Sequence, residues 1–404
     1  MLDLLIITKR NNHGKYFKKL AENSRLKIKL HYISTFSPFN PLQLFGEDNV
    51  GKREVCQRQL ARKQKVYPRL LSIYAFKHIY WILLYLSVCI ESAQYHYLIT
   101  RNKTKRIALW NGEKLPYHTV VKVAKAIGIP IVYFENGLLP NTTTVDFNGV
   151  NAKNSLPRLP QFYRAFAQHA RTQSEIKLYQ RPTHKKRIPN RIITLPKKYL
   201  FIPLQVPNDS QIVANSPWIK SMEQLFSTVV QAWQESVMKD YHLVFKAHPS
   251  WPNDFKHLSI SNHKVLFANG NTTQELIEKA KAVITINSTV GIESLLLGKP
   301  VLTLGNACYN INNLVLHADS SDTLDEMFKL LPTWQPEEAV RQGFISYLKH
   351  IYCIPQRWSQ AETIHFTTLE KRLCGEDEYS RYLDSFEHQL TNELSLNLKK
   401  TVNV

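Results

Sequence analysis

Apolar residues in this chain come in short runs, each closed by polar or turn-forming residues. Between these runs they recur at helical spacing. A short apolar run bounded by turn signals reads as a buried strand, and a 3.6-residue recurrence reads as a helix. In the first half the pattern predicts strands over Leu2–Thr8, Lys29–Ile33, Tyr97–Thr100, Arg106–Trp110 and Ile129–Phe134. Helical patterns fall at Lys15–Asn23 and Thr119–Ile127, the second followed by Gly128 as a C-cap and by Pro130. In the second half strands are predicted over Tyr199–Leu204, His242–Lys246, Val265–Ala268, Ala282–Ile286 and Val301–Leu304. Ser216 reads as a cap with Pro217 at the first position of a helix running to about Val237. Further helices fit Thr273–Lys279 and a segment starting near Ser288 and stopping before Gly298.

Strands alternating with helices argue for parallel sheets joined by crossovers, an α/β protein. The segment Arg171–Lys198, which contains the charged, Pro-bearing RPTHKKRIPNR, breaks the alternation and reads as a linker. The expected organisation is therefore a Rossmann-like acceptor domain over 1–175 and a basic linker over 176–198. A second Rossmann-like domain, for the donor, follows over 199–350. A polar, mainly helical tail over 351–404 is expected to pack back on the first domain. At 404 residues two cores are the reasonable expectation.

The longest apolar run, Trp81–Ile90, is too short to span a bilayer, which takes about 20 apolar residues. It reads as a buried helix. The alternative is a membrane-docking helix, helped by the basic tract Lys52–Lys65 just before it. Leu2–Thr8 is too short for a signal peptide and runs straight into Lys9 and Arg10. Charge sharpens the picture: 52 basic against 32 acidic residues leave a net +20, pointing to an anionic partner such as a nucleotide, nucleic acid or anionic membrane face. Cys56, Cys89, Cys308, Cys353 and Cys374 are scattered, with no CxxC pair, and read as reduced thiols of a cytoplasmic protein. No GxGxxG or GxxxxGK motif is present, which disfavours dinucleotide and P-loop readings.

Candidate chemistry sits where strands end. Phe134–Arg158 follows a predicted strand with no periodic apolar face, far longer than the usual connection of about 4–6 residues. It carries Glu135, Asn136, Gly137, Asp146, Asn151, Asn154, Ser155 and Arg158. Lys246, His248 and Pro249 end another strand, where the imidazole can donate to a phosphate oxygen or serve the fold alone. The stretch Asn287, Ser288, Thr289, Gly291, Glu293 leads from a strand into a helix whose first N–H groups and dipole favour an anion. There Gly291 would allow close ligand approach, and Glu293 would meet a ribose or complete a capping box. An ordinary capped turn explains the same residues. Gln205 and Asp209 follow the first strand of the second half, and an Asx-turn at Asn208–Asp209 is the local alternative. Glu135 and Asp209 would face each other across one cleft. Carboxylates about 5 Å apart suit a double displacement at a sugar carbon, one attacking and the other moving the proton.

Taken in order, FENGLLP, GVNAKNSLPR, FYR, PLQVPNDSQI, FKAHP and TINSTVGIESLLLGKPVLTLG resemble the capsule-polysaccharide biosynthesis family, with the closest likeness to its KpsS/LipB-type β-Kdo transferases. The resemblance covers roughly Trp110 to Gly305. It implies a GT-B fold, CMP-β-Kdo as donor and retaining transfer onto a lipid, phosphatidylglycerol-type or Kdo-primed acceptor at an anionic inner membrane, alongside other capsule-assembly proteins. It implies Asp209 as nucleophile, Glu135 as acid/base, and His248 with Ser288 and Thr289 on the donor phosphate and cytidine. The family often carries a second acid after the first and an Arg two residues beyond the Gly. This chain has Asn136 and Leu139 there, which bears on the acceptor. No DxD-type acidic cluster is evident, so no metal and no cofactor besides the donor substrate are expected. Two alternatives stay open: a transferase of the same fold with another donor or acceptor, and a non-enzymatic nucleic-acid or anionic-lipid binder.

Overall fold

The computed structural model describes residues 1–35, 37–44, 51–167, 178, 191–252, 254–258 and 262–382. Twelve strands among them form two six-stranded sheets. The first is built from β1 (Leu4–Thr8), β2 (Ile28–Tyr32), β3 (Ile107–Trp110), β4 (Ile131–Asn136), β5 (Thr142–Asp146) and β12 (Ile354–Pro355). The second holds β6 (Tyr199–Pro203), β7 (His242–Lys246), β8 (Val265–Phe267), β9 (Ala282–Thr285), β10 (Val301–Thr303) and β11 (Leu316–His317). Helices α1 (Asn12–Glu22), α2 (Lys52–Val66), α3 (Pro68–Leu71), α4 (Tyr74–Asn102), α5 (Tyr117–Ala126) and α6 (Pro160–Ala167) belong to the first half. The second half adds α7 (Ser210–Asn215), α8 (Met222–Glu235), α9 (Thr273–Lys279), α10 (Val290–Leu296), α11 (Ser321–Leu330), α12 (Glu338–Tyr347) and α13 (Thr363–Cys374).

The second sheet is wholly parallel and ordered β11-β10-β9-β6-β7-β8. Counted within its own half this is the doubly wound order, whose chain direction reverses between β6 and β9 and opens a crevice at their carboxyl ends. The first sheet, β12-β5-β4-β3-β1-β2, is parallel through β4 and ends in two antiparallel strands. Its reversal lies between β1 and β3. Both crevices open into one cleft between the sheets, the GT-B arrangement. A core shared by both halves ties them at one side of it. Leu139, Leu156 and Tyr163 pack there with Ile292, Phe344 and Tyr352. The α6–α12 contact is close: a Cβ at Gly343 would come within 1.9 Å of the Tyr163 carbonyl oxygen.

Four expectations change. Tyr97–Thr100 is helical, part of the 29-residue α4, because Leu84, Val88, Tyr95 and Ile99 share one buried face and Tyr95, Leu98 and Ile99 pack on α5. Its β-branched composition suits a strand locally, but tertiary burial sets the period. Ser216 does not start a helix. It follows α7, Ile219 is fully buried just beyond it, and Ser221 caps α8 by accepting from the Gln224 N–H at 3.1 Å. Phe134–Arg158 is not one irregular loop, because Thr142–Asp146 returns as β5 against β4. The tail is not only helical: Ile354 and Pro355 pair with β5 before α13 lies over the first sheet, where Phe366, Leu369 and Leu373 join Phe17 and Phe134. Its remainder, 383–404, lies outside the described residues, as does most of the proposed linker.

Candidate functional site

The cleft holds about 1180 Å³, above the ordinary range of about 300–1,000 Å³ for a single small-molecule site. Glu135 lies at the end of β4, where the apolar run Ile131–Phe134 gives way to polar residues. One of its carboxylate oxygens accepts from the Asn111 side chain, the other from the Asn136 N–H at 2.8 Å. Asn111 ends β3 with φ +63°, a left-handed turn that Asn tolerates better than most residues. Burial holds the Glu135 carboxyl above the usual carboxylate range, against the pull of these donors. The Asp209 carboxylate from the opposite half pushes it up further, while Lys114 lowers it. Both acids line the cleft, one from each half.

Asp209 is also the N-cap of α7. It accepts from the Gln211 N–H and the Ser210 hydroxyl, both at 3.1 Å. Both bonds fall on Oδ1, so the local Asx-type role uses one oxygen and leaves Oδ2 able to react. Gln205 and Asn287 stand at the reversal point between β6 and β9, and their amides bond each other. Gln205 Nε2 donates at 3.0 Å, and the Asn287 N–H returns a bond of 3.3 Å. Asn287 Nδ2 then donates to the Gln211 and Asn215 carbonyls, both at 3.1 Å. The pair lines the cleft and also fixes the short helix capped by Asp209. His248 lines the same half, and its Nδ1 accepts from the Ser250 N–H at 3.2 Å. That bond puts the proton on Nε2, which can then donate. Ser288, Thr289 and Glu293 complete this wall.

Several expected residues serve the fold instead. Lys246 Nζ donates to the Asn269 and Asn271 carbonyls at 3.0 and 2.5 Å, and neither it nor Pro249 lines the cleft. Gly291 does not make room for a ligand: a Cβ there would meet the Tyr309 hydroxyl at 2.3 Å. That hydroxyl donates to the Ser288 carbonyl, so the glycine lets Tyr309 brace the turn. Asp146 is fully buried, and it collects the Asn148, Gly149 and Ser155 N–H groups and the Ser155 and Tyr352 hydroxyls. It anchors the loop, not the acceptor. Asn154 and Arg158 bond each other at 2.7 Å, and Arg158 also reaches the Leu156 carbonyl. Besides Glu135, only Asn136, Gly137 and Asn151 of the expected loop residues reach the cleft. Gly137 closes the β4–β5 turn, where a Cβ would collide with Thr142.

The sequence reading missed an aromatic floor. His13 after β1 stacks on Trp110 with centroids 3.9 Å apart, and Trp358 from the C-terminal return closes on both. Burial pushes the His13 pKa down to about 4, so the ring is neutral. Trp358 Nε1 donates to the Asn136 side chain at 2.9 Å. Asn111, which holds Glu135, was missed too, although its Asn-Gly turn directly after a predicted strand was a local signal.

The profile of the capsule polysaccharide biosynthesis proteins matches residues 175–348. The capsule polysaccharide export protein KpsS of Escherichia coli is 30% identical over 264 residues, covering 50% of this chain and 68% of that protein. This chain belongs to the capsule polysaccharide biosynthesis family. Protein FixF of Sinorhizobium fredii is 35% identical over 257 residues, which cover 64% of this chain and 62% of FixF. The capsule-family chain thus spans less than two thirds of that relative's length. Among solved structures, the β-Kdo 2,7 transferase KpsC of Thermosulfurimonas dismutans aligns over 91% of this chain and all of that one. The identity there is 13% and the TM-score 0.46.

Proposed function

We propose that this capsule-family protein is a retaining glycosyltransferase that moves Kdo from CMP-β-Kdo to a lipid or Kdo-primed acceptor. The observation that carries the reading is the pair Glu135 and Asp209, one from each half, both lining one cleft. In the first displacement Asp209 Oδ2 attacks the anomeric carbon, the bond to the CMP phosphate breaks and CMP leaves. In the second, the acceptor hydroxyl attacks that carbon, its proton passes to Glu135 and the bond to Asp209 breaks. A partly desolvated carboxyl with a raised pKa suits a group that must take up and release a proton.

Other parts of the cleft fit the same substrates. The His248 Nε2–H and the Ser288–Thr289 turn would receive the donor phosphate, and Glu293 the ribose. Lys9, Arg62, Lys114 and Arg357 line the cleft and suit an anionic donor and an acidic sugar. The neutral His13 and Trp110 rings line the cleft, backed by Trp358, and would meet an acceptor sugar face. No bound metal enters this chemistry, because CMP leaves with a single phosphate that the cationic lining can neutralise. The protein would work at the inner membrane surface, where its acceptor resides. The test is incubation with CMP-Kdo and a panel of CMP- and UDP-sugars on lipid acceptors, with mass spectrometry of Asp209→Asn and wild type. A sugar adduct on Asp209, formed only with CMP-Kdo, is the expected result. Full transfer by a folded Asp209→Asn protein would refute the nucleophile, and turnover of a UDP-sugar instead would refute the donor.

A further inference from the structure

Helix α4 buries only one face. Leu84, Val88, Tyr95 and Ile99 point into the protein, while Phe76, Ile79, Leu83, Leu86 and Ile90 lie on the other side and are each more than 40% exposed. Their spacing of three and four residues makes one stripe, about 21 Å long at 1.5 Å per residue. Val66, Tyr67, Leu70, Ile73 and Tyr74 extend it across α3. With Ile82, eleven of the seventeen exposed large hydrophobic residues among the described ones fall between Val66 and Ile90, so this is a patch and not scatter. A face of this kind on a monomer marks an interaction surface.

Charge says what covers it. From Val55 to Ile90 the chain has no Asp or Glu, but it has Arg58, Arg62, Lys63, Lys65, Arg69 and Lys77. Arg58 is paired with Glu54 and Glu113, and Lys65 is bound to the Lys220 carbonyl. Arg69 on α3 is exposed, and Lys77 sits beside Phe76 on α4. Lys63 lies 5.5 Å over the Tyr67 ring at the edge of the patch. An apolar stripe rimmed by cations and aromatic rings is the surface an amphipathic helix presents to anionic lipid headgroups. A second copy would bring like charge against like charge.

We propose that the α3–α4 face docks the protein in the plane of an anionic bilayer. No helix among the described residues is long and apolar enough to cross a membrane, so the attachment is by one face. On its buried side α4 also borders the cleft. Leu115, which lines the cleft, packs on the core beneath α4 with Leu84 and Val88, and Arg62 of α2 lines the cleft too. Docking by the outer face of α4 would hold the cleft on its inner side near the bilayer, where a lipid-linked acceptor lies; that use rests on the proposed transfer, whereas the docking face does not.

The test is cosedimentation of the full chain with phosphatidylcholine vesicles, with and without phosphatidylglycerol. Binding should require phosphatidylglycerol and weaken as salt rises. Ile79→Glu with Leu83→Glu, both exposed and outside the cleft, should lower partitioning at least about tenfold, and Arg69→Gln with Lys77→Gln should lower it on the anionic vesicles. Both proteins should keep the wild-type melting curve and transfer to a detergent-dispersed acceptor, a separate readout from docking. Equal sedimentation of the Glu variant and wild type would overturn the proposal. So would equal binding to neutral vesicles, or a solution dimer that the Glu substitutions dissociate without any vesicle binding.

Discussion

Glu135 and Asp209 are both acids in one cleft, but their surroundings differ. Asp209 is held by helix-capping donors; Glu135 is half-buried, and desolvation raises its pKa. For Glu135 the folded pKa lies above the unfolded one, so the folded state binds more protons in that window. Its stabilising contribution is full below the unfolded pKa and is lost as pH rises through the folded pKa. Glu135→Gln should therefore abolish transfer yet melt no lower than wild type at neutral pH, and relatively higher as pH increases, by calorimetry across a pH series. A variant that melts well below wild type above pH 7 would contradict this account. Asp209→Asn should lower the Glu135 pKa, read by carboxyl NMR on selectively labelled protein. His248→Ala should weaken CMP binding in calorimetry about tenfold, the scale of one hydrogen bond to a charged group, and leave the fold intact.

At the scale of elements, the site is held together by groups that touch no substrate. Tyr309 reaches the Ser288 carbonyl only because residue 291 has no side chain. Gly291→Ala should cost about 1–3 kcal/mol in urea unfolding, the usual penalty for overpacking, and weaken CMP binding by shifting Ser288 and Thr289. The Gln205–Asn287 amide pair closes the reversal point of the second sheet. The strands around it were legible because each is a short apolar run between turn residues. The pair was not, because it depends on β6 and β9 becoming neighbours and joins residues 82 positions apart. Lys246 illustrates the same limit: its place at a strand end was correct, and its direction was decided by the carbonyls of Asn269 and Asn271.

Across the whole molecule the C-terminal return is what completes the first half. Arg372 of α13 is almost fully buried. It donates to the Val145, Tyr352 and Ile351 carbonyls, pairs with Asp377, and lies 3.9 Å over the Tyr379 ring. Removing it leaves buried acceptors and a carboxylate without their cation. Arg372→Ala should cost about 3–5 kcal/mol, measured by denaturant unfolding. It should also loosen Trp358 from the aromatic floor, visible as a change in tryptophan fluorescence. The return pairs Tyr16 with His365 at 2.8 Å and Ser24 with Glu370 at 2.6 Å, contacts some 350 residues apart. Polar helical sequence gave no hint of these partners.

The sequence alone determined the alternation of strands and helices, the parallel part of both sheets, the shortness of the Trp81–Ile90 run and the strand ends near which Glu135, Asp209, His248 and Ser288 stand. These follow from periodicity and turn chemistry, which act over a few residues. Tertiary structure decided which polar groups face the cleft and which are consumed by the fold, turning Asp146, Arg158, Lys246 and Gly291 inward. It also decided that a helix expected to be buried keeps one apolar face outside. Both outcomes depend on which distant segments come to lie alongside one another, and no local pattern encodes that.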